Sequence, residues 1–205
     1  MRKLLQFVAG IIFGLFVQSA SFAADSYTID NVHSQIGFAV KHLTVSTVKG
    51  SFSDYVCIIQ FDPANPSAIS AEATIQVNSI DTQNEKRDGD LKSPNFFDAE
   101  KFPTITFKTT KVTQSAGGYT MTGDLTMHGV TKSISFPCTI AGPVKGMQGD
   151  DVIGLSGQMT INRQDFGVSW NKAMDSGGYV VSDDVAITID FEAHHKKDVT
   201  PEKAK

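Results

Sequence analysis

Apolar residues recur at every second position in eight stretches of the chain. "SQIGFAVKH" puts Ile36, Phe38 and Val40 on one side, and "YVCIIQFD" groups Tyr55, Cys57, Ile59 and Phe61. "AEATIQVNS" aligns Ala73, Ile75 and Val77, "TITFKTT" aligns Ile105 with Phe107, and "YTMTGDLTM" aligns Tyr119, Met121, Leu125 and Met127. "SISFPCTI" gives Ile134, Phe136, Cys138 and Ile140. "VIGLSGQMTI" gives Ile153, Leu155, Met159 and Ile161, and "DVAITIDFEA" gives Val185, Ile187, Ile189 and Phe191. Successive side chains of a strand point to opposite faces, so a period of two predicts eight strands, each with one apolar face.

"DPANPS", "SAGG", "HGVTK", "PVKGMQGDD" and "DSGG" separate these stretches with turn-forming residues. Short connections join strands 104–113, 119–128 and 132–141 into an antiparallel meander. One helix-sized segment, 83–98, interrupts the series. Its charged "NEKRD" suits a helical turn or two, and Pro94 predicts a stop near Ser93, because the residue before proline is pushed out of the helical region. Eight antiparallel strands make an all-β domain, an up-and-down barrel or a sandwich, with the barrel preferred. The second faces supply a polar exterior: Lys41, Glu72, Gln76, Asp124, Gln158, Asp190 and Glu192. A barrel of eight strands has an interior just wide enough for side chains or for one slender ligand.

The first 23 residues change the picture of where this domain works. Arg2 and Lys3 precede the apolar "LLQFVAGIIFGLFV", and "SFA" ends at Ala23 with small residues at −3 and −1, the layout of a secretory signal peptide cleaved after Ala23. The run is short of the roughly 20 residues a membrane span needs. Cleavage removes two basic residues and no acidic one, so the net charge of −4 becomes −6 on the remaining 182 residues. That mildly acidic balance argues against nucleic acid as a partner, because phosphate binding needs a basic footprint. No later apolar run is long enough to span a membrane, and the tail 196–205 reads as polar and frayed. The expected organisation is therefore a signal peptide at 1–23, one domain at 24–195 and a short tail.

Candidate chemistry is sparse. His33, His42 and His128 lie in or beside strands, and His194 and His195 open the tail without ligand spacing, so no metal site and no cofactor are expected. There is no nucleophile elbow, and Cys57 stands among apolar neighbours. Cys57 and Cys138 fall in the second and sixth strands, opposite walls of a simple meander, which predicts two separate buried thiols. Glu85, Asp88 and Asp90 cluster around Arg87 as a charged helix start. Phe96 and Phe97 read either as anchors fixing a helix on a barrel end or as a lid over an apolar lumen; Trp170 and Met174 admit the same two readings.

"YTIDNVHSQIGFAVKH", "KGSFSD", "NSIDTQNEKRDGDLKSPNFFDAEKFPTITFKTT", "GDLTMHGVTKSISF" and "INRQDFGVSW" together resemble the YceI-like family of bacterial periplasmic polyisoprenoid-binding proteins, from about Tyr27 to Phe191. The resemblance implies a lipocalin-like extended antiparallel eight-stranded β-barrel whose lumen holds an isoprenoid or similar lipid tail. It further implies an exported, non-enzymatic protein linked with stress responses. It assigns Arg87, Asp88, Leu91, Phe96 and Phe97 to a barrel-closing segment. Gly123, Asp124, Leu125, Gly129, Val130 and Thr131 form its hairpin signature. Asp90 departs from the pattern, standing where the family commonly has histidine.

The expected role is to hold a polyisoprenoid or other long-chain lipid in the periplasm, for transport, storage or stress protection. The expected wall is Ile36, Phe38, Val40, Phe61, Ile75, Val77, Phe107, Met121, Leu125, Met127, Ile134, Phe136 and Ile187, with Phe96, Phe97 and Trp170 over it. His42, Arg87, Asp88 and Arg163 are the expected mouth or headgroup residues. No catalytic residue is expected, and the sequence leaves a homodimer open. Two other readings stand beside this one. One is an enzyme acting on an isoprenoid or quinone-type lipid through His42, His128 or Arg163; the other is an interaction module with a packed interior.

Overall fold

The computed structural model describes residues 24–175 and 177–195; the expected signal peptide at 1–23 and the tail at 196–205 lie outside the described residues. Eleven strand segments and one α-helix follow one another. They are β1 (Asp25–Ile29), β2 (Gln35–His42), β3 (Ser46–Phe52), β4 (Tyr55–Phe61), β5 (Ser70–Gln76), β6 (Ile80–Asp81) and α1 (Glu85–Lys92), then β7 (Thr104–Ser115), β8 (Gly118–Met127), β9 (Val130–Lys145), β10 (Asp151–Asn162) and β11 (Val181–His195). All neighbours are antiparallel.

These segments build eight walls, as the alternation predicts, because three walls are each broken by a bend. β1 runs into β2 through residues 30–34, β3 into β4 through 53–54, and β5 into β6 through the short 3-10 turn Val77–Ser79. On one side of the bends the ladder runs β1–β4–β5–β7, and on the other β2–β3–β6; both halves share the long β11, which closes the barrel against β1 and continues onto β2. Backbone bonds across the bends keep the two halves in step, with the Ser53 amide donating to the Ser79 carbonyl at 3.2 Å and the Gln76 amide to the Asp54 carbonyl at 2.9 Å. The result is a closed eight-walled antiparallel barrel with one short helix.

One end is sealed by the protein itself. Tyr27, Ile59, Phe61, Ile153 and Ala193 are all but fully buried there. The Tyr27 ring meets Phe61 edge-on at 6.1 Å, and Tyr55 stacks on Phe191 at 6.0 Å. The outward positions Lys41, Glu72, Asp124, Gln158 and Asp190 are exposed. A membrane barrel carries an apolar band on that face, so this wall is patterned the opposite way. Among the described residues no helix is long and apolar enough to cross a membrane.

The helix is shorter than the expected 83–98. Asn84 caps it by accepting the Arg87 amide at 3.0 Å, and it ends at Ser93 ahead of Pro94. Leu91 is the only apolar residue of "EKRDGDLK", so hydrophobic burial alone does not dock it. Polar bonds add the docking. Arg87 donates to the Thr82 hydroxyl and carbonyl, each at 2.8 Å, and the buried Asp88 accepts the Thr82 amide at 3.0 Å and its hydroxyl. β11 is longer than expected, since His194 and His195 belong to the strand and not to the tail.

Cys57 and Cys138 are both buried and unpaired, on the second and sixth walls. Burial pushes the Cys57 thiol up to about 12 and raises that of Cys138. Because the thiolate is the reactive form, native protein at about pH 8 should leave both cysteines unmodified by a thiol-specific disulfide reagent, and denatured protein should show two reactive thiols. Titration of either thiol in the native state would contradict the burial described here.

Candidate functional site

Inside the wall, beyond the sealed end, lies an apolar cavity. It runs from Cys57, Ala71 and Phe191 to Ile161, Val181, Phe96 and Phe97, enclosing about 1370 Å³ free of protein atoms, the space at its mouth included. Phe38, Val40, Phe107, Ile134, Met159, Val185, Ile187 and Ile189 point inward yet are only half-buried, because they face unfilled lumen. A self-packed core would cover them, as it covers the residues of the sealed end.

Two glycines help to keep the lumen hollow. A Cβ on Gly123 would stand 2.4 Å from the Phe107 ring, and one on Gly157 would stand 2.9 Å from the Phe136 ring. Both glycines occupy inward positions, so each ring folds down over a neighbouring strand instead of crossing the barrel. The rings then tilt against each other at 5.8 Å along the wall.

The far end is covered by aromatic side chains. After α1 the chain turns back, with the Phe97 amide donating to the Leu91 carbonyl at 3.0 Å, and this aims Phe96 and Phe97 at the cavity. Phe97 meets Phe52 edge-on at 6.4 Å, and Phe52 lies 5.8 Å from Phe38. Trp170 packs behind Phe96 at 5.2 Å.

Among the described residues Arg163 is the one charged residue on the cavity wall, and it is 5% exposed. Its Nε donates to the Ser182 carbonyl at 3.0 Å, one terminal nitrogen donates to the carbonyls of Val168 at 2.7 Å and Trp170 at 2.9 Å, and the other reaches Asp183 at 3.4 Å. Burial lowers its pKa and the Asp183 carboxylate works against that. The guanidinium thereby ties the loop bearing Val168 and Trp170 to the start of β11.

Thirteen of the sixteen expected wall and lid residues line this cavity: Ile36, Phe38, Val40, Ile75, Phe96, Phe97, Phe107, Met121, Leu125, Met127, Ile134, Phe136 and Ile187. Three do not. Phe61 has the right parity but belongs to the sealed end. Val77 falls in the 3-10 turn, which breaks the alternation and buries it apart from the lumen. Trp170 forms the layer outside Phe96. Of the expected mouth residues only Arg163 reaches the cavity; Arg87 and Asp88 are engaged with Thr82, and His42 ends β2 in the ladder opposite Val181. Phe52, Ile80, Leu91, Val168 and Val181 also line it. They stand at bends, ends and loops where no run of alternation is long enough to announce them.

Among the described residues no imidazole and no carboxylate faces the cavity. His128 is turned away, its Nδ1 3.1 Å from the Phe166 carbonyl and its ring edge-on to Phe102 at 4.6 Å. Such a wall can desolvate and hold a hydrocarbon chain.

Residues 27–193 match the YceI-like domain. A UPF0312 protein of Staphylococcus aureus strain N315 is 40% identical over 168 residues, covering 82% of this chain and 96% of that protein. The crystal structure of a Campylobacter jejuni YCEI protein is 37% identical, with a TM-score of 0.67 over 77% of this chain and 90% of that one. A polyisoprenoid binding domain from Saccharophagus degradans, implicated in plant cell wall breakdown, shares the fold at 16% identity, with a TM-score of 0.58 over 83% of this chain and 98% of that one.

Proposed function

The chain belongs to the YceI-like family, and from that premise we propose that it is an exported periplasmic protein holding a polyisoprenoid or similar long-chain lipid in its barrel, for transport, storage or stress protection. The observation that carries this reading is the unfilled apolar lumen with half-buried inward side chains. Burying hydrocarbon is worth about 0.8 kcal/mol per CH₂, so one five-carbon prenyl unit contributes on the order of 3 kcal/mol before association costs are subtracted. A few units suffice without any dedicated polar contact. The tube therefore selects for length and girth of the tail more than for its identity. A fold neighbour described as a polyisoprenoid binding domain supports the lipid class. The absence of an acid or base among the described lining residues favours binding over turnover.

Native mass spectrometry of protein taken from its host's periplasm tests both halves of this reading. The expected species begins at Ala24 and carries one lipid per chain. Trp170, the chain's single tryptophan, packs behind the lid and should report lipid entry as a change in fluorescence. Protein recovered without lipid, and with fluorescence indifferent to added prenyl lipids, would reject lipid binding. A chain that keeps residues 1–23 would reject cleavage after Ala23.

A further inference from the structure

The seam where β1 meets β11 carries a cluster that lipid binding does not use. Asp30 and His33 stand in the bend between β1 and β2, Glu192 and His194 lie near the end of β11, and Asp150 immediately precedes β10. Asp30 Oδ2 is 2.8 Å from His33 Nδ1 and 3.9 Å from His194 Nε2. Glu192 Oε1 is 3.1 Å from His194 Nε2 and 3.7 Å from His33 Nδ1. The donor atoms of Asp30, His33 and Glu192 all lie within 4.8 Å of one another.

Donors bound to a tetrahedral ion at about 2.0–2.2 Å stand about 3.3–3.6 Å apart. These four separations bracket that spacing; among the described residues Asp30, His33 and Glu192 form the set whose donor atoms all lie within 4.8 Å of one another, and the His194 ring has to swing toward them to supply a fourth donor. His194 is also held from behind: its Nδ1 is hydrogen-bonded to Asp150, whose side chain is 7% exposed. The buried carboxylate on Nδ1 orients the ring with Nε2 toward Asp30 and Glu192, and an ion at Nε2 would take the place of the proton shared with Glu192.

We propose that this cluster binds Zn²⁺ through His33 Nδ1, His194 Nε2, Asp30 and Glu192, with Asp150 as a positioning residue. Two imidazoles beside two carboxylates favour a borderline transition ion over Mg²⁺ or Ca²⁺, which take oxygen donors. The ion would clip the seam between β1 and β11. β1 and β11 share two ladder pairs, Thr28 with His194 and Ile29 with Ala193, and the same ion would also draw in the loop before β10 through Asp150.

The test is a Zn²⁺ titration of the cleaved chain, residues 24–205 without a histidine tag, at about pH 8 where ordinary imidazole is neutral. One Zn²⁺ per chain is expected at micromolar or better affinity, with no competition from excess Mg²⁺. His33→Asn and Glu192→Gln, both at exposed or half-exposed positions, should each weaken binding at least about tenfold, and Asp150→Asn by about 10–100-fold. Bound Co²⁺ should show the intense visible bands of a tetrahedral site. Millimolar or substoichiometric Zn²⁺ binding, octahedral Co²⁺, or an affinity that both His33→Asn and Glu192→Gln leave unchanged would reduce the cluster to an ion-pair network only and overturn the proposal.

Discussion

Phe97→Asp should empty the barrel. Phe97 is half-buried, lines the cavity and leans on Phe52, so its ring is both lid and wall. Losing its apolar contact with a lipid tail costs about 2 kcal/mol, and the new carboxylate must either be desolvated against that tail or swing out and leave the end uncovered. Lipid affinity should fall at least about tenfold, since 1.4 kcal/mol is one decade. The position is not part of the sealed core, so the melting temperature should hardly move. Phe97→Leu keeps the apolar cover and should retain most of the binding. Equal lipid occupancy in wild type and Phe97→Asp would show that this segment does not cover the ligand.

Arg163→Met should act on stability first. Methionine can replace the apolar stem along the cavity, but it leaves the carbonyls of Val168, Trp170 and Ser182 without their buried donor. Orphaning such groups costs about 3 kcal/mol in total, which for a chain of this size lowers the melting temperature by about 6–12 °C. Freeing the loop also removes the support behind Phe96, so lipid should dissociate faster. Arg163→Lys keeps the charge and loses the planar fork, and should recover only part of both. Thermal unfolding of the three proteins checks this, and an unchanged melting temperature for Arg163→Met would mean that the guanidinium does not hold the loop.

What the chain reveals to a reader depends on distance along it. Period-two alternation is local, so Met121, Leu125 and Phe136 could be placed on a common wall without knowing the strands' partners. Bends defeat that logic: Val77 keeps the parity of Ile75 but falls in a turn that rotates it away, and Phe52 enters the lumen from a segment too short and glycine-containing to show a pattern. Parity also says nothing about depth, which is why Phe61 reads like Phe38 although one plugs an end and the other lines the hollow. Arg87 and Asp88 look like a site because charge is conspicuous in sequence, whereas their bonds to Thr82 are visible only in three dimensions. His33 and His194 present the opposite case. Barrel closure brings them together from the two ends of the domain, and no spacing within the chain could announce it.

The sealed end makes the barrel a bottle and not a pipe. Tyr27, Phe61 and Ile153 stop the bore, so a tail cannot thread through and leave on the other side. Loading and unloading must use the same neck, tail first going in and head first coming out. The depth from neck to floor then acts as a ruler: a tail shorter than the bore leaves its tip in an empty hollow, and a longer one stands proud. Whatever group the lipid carries at its other end stays outside throughout.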